Sequence, residues 1–167
     1  MTRRTLALLA APVALAACSQ ERRDAPAADP EPRGSYAVDR ATGETFARFE
    51  DDDGAVTTMR SGEQVPLLLP DGFSLYPGAR VTNNTRVEKP EGILLSLDMT
   101  SPDMPGKIAA FYTAEAEAAG FAIEVKLDTG PSRVVAGKSP EGDTLALLAV
   151  REGEVTEAHL SIARGLR

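Results

Sequence analysis

His159 is the chain's one histidine, and imidazole is the side chain best suited to moving protons near neutral pH. It lies in an alternating segment, Val155–Ala163, whose outward face carries Glu157, His159 and Ser161. A Ser-His-acid set needs a nucleophile and an orienting acid within hydrogen-bond reach. Residues two apart on one strand point the same way and do not meet that geometry, so His159 reads as a surface residue. Asp51-Asp52-Asp53-Gly54 raises calcium, but an EF-hand loop needs acids five before and six after its glycine, where this chain has Phe49 and Arg60. It reads instead as a charged tight turn. Ser132–Ser139 (SRVVAGKS) is a near miss for a phosphate-binding loop. Its leading glycine is replaced by Ser132, Val134-Val135 read as strand, and Pro140 blocks the helix whose N-terminus would face phosphate. Glu115 falls among Ile108, Phe111, Tyr112 and Ala119 on the apolar side of a helix. A carboxylate there needs a raised pKa, a partner such as Arg133, or a place at the stripe's edge. A hydrolase built on Asp71, Asp98 or Glu115 would need two of these acids to converge in a cleft.

Cys18 is the only cysteine, which excludes a disulfide framework. What precedes it divides into the parts of an export signal. Arg3 and Arg4 are followed by thirteen mostly apolar residues, Thr5–Ala17, too short for a membrane span of roughly 20. Leu15-Ala16-Ala17-Cys18 resembles a lipobox, at which bacteria attach diacylglycerol to the thiol and cleave before the cysteine. The resemblance implies a lipoprotein precursor with a signal peptide at 1–17 and two or three acyl chains on Cys18. Each buried methylene contributes about 0.8 kcal/mol, so two chains already anchor stably. It also implies a place in the cell envelope. Ser19 after the cysteine favours the outer membrane, facing the periplasm, where Asp would favour the inner one.

Removal of residues 1–17 takes away Arg3 and Arg4 and moves the net charge from −7 to −9 over 150 residues, enough chain for one domain with a real core. An acidic chain is a poor nucleic-acid binder, because phosphate contacts need clustered Lys and Arg. No later segment is long and apolar enough to span a bilayer. Residues 18–35 hold Pro26, Pro30 and Pro32 among charges and alanines, without an apolar period, and read as a disordered tether. Extended at roughly 3.1 Å per residue, it reaches on the order of 50 Å.

Residues 36–167 read as a single α+β domain. Glu44–Phe49 and Ala55–Arg60 flank the Asp-Gly turn as an N-terminal hairpin, and Pro66–Pro70 is a short extended run. Tyr76-Pro77-Gly78-Ala79 has the residues of a type II turn. Ala79–Glu88 and Ile93–Met99 are strands, and Asn83-Asn84 inside the first marks a bulge or an edge. One helix runs from Pro105 to the stop at Gly120. Phe121, Ile123, Val125 and Leu127 alternate as one face of a strand, with Arg133–Gly137 after it. Leu145–Val150 is apolar on both faces and should be central, and Val155–Ala163 turns Ala158, Leu160 and Ile162 inward. Short connections imply a single antiparallel sheet, with the one helix packed on a face.

Together with the lipobox, Tyr76-Pro77-Gly78-Ala79, Phe111-Tyr112, Glu115-Ala116 and Ala119-Gly120 resemble small envelope lipoproteins of bacteria. Those motifs are structural, so the resemblance implies fold and location but no activity. The sequence offers no catalytic constellation and calls for no cofactor or metal. The expected role is a membrane-anchored, non-catalytic module that binds another envelope protein. The alternatives are a carrier of lipid or another apolar ligand, in a cavity lined by Ile108 and Phe111, and the carboxylate hydrolase described above.

Overall fold

A computed structural model describes residues 33–166. The signal peptide at 1–17, Cys18 and the tether up to residue 32 lie outside the described residues. The described chain forms nine strands and one helix: β1 (Arg33–Val38), β2 (Thr45–Glu50), β3 (Val56–Gly62), β4 (Arg80–Lys89), β5 (Gly92–Ser101), α1 (Pro105–Ala118), β6 (Ala122–Asp128), β7 (Ser132–Lys138), β8 (Thr144–Glu152) and β9 (Val155–Arg164). All strands join one antiparallel sheet in the order β1-β2-β3-β4-β5-β9-β8-β7-β6. β1 to β5 meander; α1 then carries the chain to the far edge, and β6 to β9 meander back until β9 pairs with β5. The fold is α+β, with the helix on one face.

Side-chain chemistry explains the joints. The β2–β3 turn is closed by Asp51, whose carboxylate accepts the Ala55 N–H at 2.8 Å, so the acidic run caps a turn. Ala79 N–H donates to the Tyr76 carbonyl at 2.9 Å around Gly78 at φ 77°, the left-handed position that a type II turn reserves for glycine. Pro105 occupies the first turn of α1, where a missing N–H costs nothing. The helix ends in a Schellman motif: Gly120 N–H donates to Glu117 O and Phe121 N–H to Ala116 O, with Gly120 at φ 87°.

The core lies between α1, the long connection from β3 to β4, and one face of the sheet. Leu97, Met99, Leu145, Leu147, Ala149, Leu160 and Ile162 meet Ile108, Tyr112 and Ala116 of the helix, and Phe73, Tyr76 and Phe121 close the side. Phe73 and Phe121 meet edge to face at 5.8 Å, and the Arg164 guanidinium lies over both rings. Asn84, fully buried, donates its amide to the Val65 and Pro66 carbonyls and pins that connection to the sheet.

One expectation needs correction, the one for β6. Leu145–Val150 lies in β8, an interior strand as expected, with Leu145, Leu147 and Ala149 in the core and Ala146 and Leu148 exposed. The asparagine pair marks a bulge, between Val81 and Asn83, in an interior strand with no edge. The correction concerns the alternation expected along β6. A register shift between Ile123 and Val125 makes Glu124 an extra residue and reverses the alternation beyond it. Lys126 therefore stands opposite the core residue Val135, and Val125 and Leu127 turn to the uncovered face.

Candidate functional site

Residues directly opposite one another in an antiparallel sheet point to the same side. The strand registers thus line up one row across six strands on the face away from α1: Asn83, Asp98, His159, Leu148, Val134 and Leu127. The corresponding row on the helix side is Asn84, Leu97, Leu160, Leu147, Val135 and Lys126. One sheet thus carries a packed inner row and an outer row that is half polar and half apolar.

The polar half is a hydrogen-bonded chain. Asp98 Oδ1 and His159 Nδ1 are 2.6 Å apart, and Asn83 Nδ2 donates to Asp98 Oδ2 at 3.4 Å. Ser61, one strand further out, reaches Thr85 at 2.7 Å and Asn83 Oδ1 at 3.4 Å. An ionised carboxylate only accepts, so the imidazole donates from Nδ1 in this bond and Nε2 is left without a partner in the pair. Among the described residues, no hydroxyl hydrogen-bonds to Nε2. The Asp98–His159 pair adjoins a shallow hollow of 390 Å³, to which Thr82, Thr100, Glu152 and Glu157 also contribute. Three carboxylates around one histidine make this end of the face acidic.

The apolar half is the end of the row near β6. Leu148 is 44% exposed, Leu127 52% and Val125 45%, with Val134, Ala136 and Val150 beside them. Their exposure has two causes: among the described residues no element covers this face, and the β6 bulge sends Val125 and Leu127 toward it. Large side chains gathered in one exposed cluster mark a surface that meets something, whereas scattered ones do not.

No protein-family model, characterised protein or solved structure matches this chain. The site must be read from its own chemistry.

The structure separates the acids that were considered together. Asp98 is on the uncovered face, whereas Glu115 is on α1 across the sheet. The Glu115 carboxylate accepts both the hydroxyl and the N–H of Ser74, so its partner is a serine and not Arg133, which pairs with Asp128. Asp71 is exposed in the β3–β4 connection, where its carbonyl accepts from Arg164 at 3.0 Å. Ser132–Lys138 of the phosphate-loop near miss is strand β7. Ile108 is fully buried core, but a groove of 410 Å³ opens beside α1, between Ala109, Ala110 and Ala114 and the strand residues Lys126, Arg133 and Val135. Its rim carries two ion pairs, Lys126–Glu117 at 3.5 Å and Arg133–Asp128. Among the described residues, no group of three or more His, Cys, Asp or Glu could hold a metal, and no helix is long and apolar enough to cross a membrane.

The Asp98–His159 pair is what residue-by-residue reasoning missed. Asp98 and His159 are 61 residues apart, and only the β5–β9 register brings them together.

Proposed function

We infer that the chain is a membrane-anchored envelope lipoprotein that binds a partner protein on the uncovered face of its sheet, held at the membrane through lipid on Cys18. The observation that carries this reading is the outer row. It offers exposed leucine and valine at the β6–β8 end and a hydrogen-bonded acidic cluster around His159 at the other. A partner suited to it buries apolar side chains over Leu127, Val134 and Leu148. It also sets Lys or Arg near Asp98, Glu152 and Glu157. Apolar burial supplies affinity at about 25 cal/mol per Å², while the charges set orientation and encounter rate.

The test is cross-linking in cells, capture of the anchored protein and mass spectrometry of what it carries. Cys18→Ala controls for shared residence in the membrane, and Leu148→Asp probes the face. Leu148 is exposed, so the substitution should leave thermal unfolding within about 0.5 kcal/mol of wild type. One dominant protein, lost with Leu148→Asp and cross-linked to the uncovered face, supports the reading. Equal recovery with the variant refutes it.

The groove beside α1 favours a second reading, the carriage of an apolar ligand. Its alanine wall and Val135 floor would suit a slender chain. Lipid retained through purification and lost with Ala110→Phe, which fills the groove, would support carriage in place of partner binding.

A further inference from the structure

β6 is the last strand of the sheet, and its outer backbone edge has no neighbouring strand among the described residues. Such edges are normally protected by charge or a bulge, and β6 has both, in Glu124, Lys126 and Asp128 and in the irregularity at Glu124. What sets it apart is the order of its side chains. Glu124-Val125-Lys126 is its own complement when read against an antiparallel copy. We propose that β6 pairs with β6 of a second copy of this chain, antiparallel and centred on Val125, joining two sheets edge to edge about a two-fold axis.

In that register Val125 faces Val125, Glu124 faces Lys126, and Lys126 faces Glu124. The sides matter as well. Lys126 is on the helix side, opposite Val135 and 3.5 Å from Glu117. The proposal requires Glu124, the extra residue of the bulge, on that same side. Both opposite-charge pairs therefore form on one side of the joined sheet, and each joins an existing Lys126–Glu117 contact. Neighbouring registers fail on charge. Centring on Lys126 sets Lys against Lys and Glu124 against Asp128, and centring on Glu124 sets Glu against Glu. Like charges directly opposite destabilise a strand pair, so the residues that repel a foreign strand select this one.

The two-fold axis stands perpendicular to the sheet. Both helices then lie on one side and both uncovered faces on the other, where Val125 and Leu127 of the two copies merge into one apolar strip leading to Val134 and Leu148. The contact is isologous: it consumes the β6 edge of both copies and leaves none for further growth there. It does not depend on the partner-protein reading, since Glu124 and Lys126 act at the edge and Leu148 on the face.

The experiment uses the full chain with Cys18→Ala, which removes its only thiol, purified in detergent and oxidised with copper phenanthroline. With Val125→Cys added, the two sulfurs meet across the axis, with Cα atoms about 4.5–5.5 Å apart and within disulfide range. Leu127→Cys places them on the order of 14 Å apart and out of range. A covalent dimer is expected at 125, with about tenfold less at 127. In the Val125→Cys background, Glu124→Lys should cut the dimer about fivefold, and Lys126→Glu added to it should restore the yield by reversing both pairs. All these positions are exposed, so thermal unfolding of each variant should match that of the parent. Absence of a dimer at 125, equal yields at 125 and 127, or a double swap that restores nothing would overturn the proposal.

Discussion

Tyr112→Phe tests one hydrogen bond at the junction of helix, turn and sheet. The Tyr112 ring is fully buried; its hydroxyl accepts the Tyr76 N–H at 3.1 Å and donates to Met99 Sδ at 3.7 Å. Phenylalanine keeps the ring, so little cavity is created. The thioether is a weak acceptor and loses little. The Tyr76 N–H is different, because it would remain buried with no partner, at a cost of about 1–3 kcal/mol. We expect a loss of about 2 kcal/mol, or about 6 °C in Tm for a domain of this size. Urea unfolding should show a lower midpoint with an unchanged slope. Alkali gives a second readout. Burial pushes the Tyr112 phenol up to about 12, with the Glu115 carboxylate adding to the rise and the bond to Tyr76 opposing it. A pKa raised in the folded state contributes stability that is whole below the ordinary value of 10 and lost as pH climbs from there to about 12. The stability lead of wild type over Tyr112→Phe should therefore shrink across that window. A Tm change below about 2 °C at neutral pH would refute the reasoning, since the Tyr76 N–H would then have found another partner.

Leu147→Ala removes a fully buried side chain at the centre of the inner row and should cost about 3 kcal/mol by denaturant titration. Gly137→Ala should cost about 1–3 kcal/mol, because an added Cβ would lie 2.8 Å from the Ala122 carbonyl oxygen and 3.1 Å from Ile123. Lys107→Met should raise the acid-unfolding midpoint. The Lys107 ammonium, and then the Tyr76 hydroxyl, hold the Asp103 carboxyl below its ordinary 3.8. That stabilisation is complete above 3.8 and disappears as pH falls through the depressed value, so the two curves should differ near neutrality and converge in strong acid. Added salt should narrow the difference, since the pair is exposed.

The elements were legible where periodicity is uninterrupted. Pro105 and Gly120 bracket the helix, and the alternation of Val155–Ala163 assigns its inward residues correctly. Tyr76-Pro77-Gly78-Ala79 and Phe111-Tyr112 were legible as structural motifs, but not as one joint: the Tyr112–Tyr76 hydrogen bond connects them across 36 residues. Period-two reasoning failed in β6 because one inserted residue changes which face every later side chain occupies. The sequence did carry a sign of this, though a quiet one. Gly137 stands opposite Ile123, and the Ala122 carbonyl comes so close that no Cβ fits. A glycine inside a strand often marks such an approach.

The candidate site was hidden for a different reason. Each residue of the outer row is unremarkable alone: an asparagine, an aspartate, a lone histidine, a leucine and two more apolar residues on six strands. Their meaning comes from pairing, and pairing between β5 and β9 depends on a chain reversal that runs through α1 and three intervening strands. Local pattern specifies which side of a strand is apolar; it does not specify which strand lies beside it. β8 shows the consequence. Its apolar outward residues look like those of a doubly covered strand, yet the described residues contain one helix to cover two faces. Among the described residues, one helix leaves one face of the nine-stranded sheet open, and the composition of β6, β7 and β8 makes part of that face apolar. In the proposed function, that exposed apolar character is what the partner protein would bury.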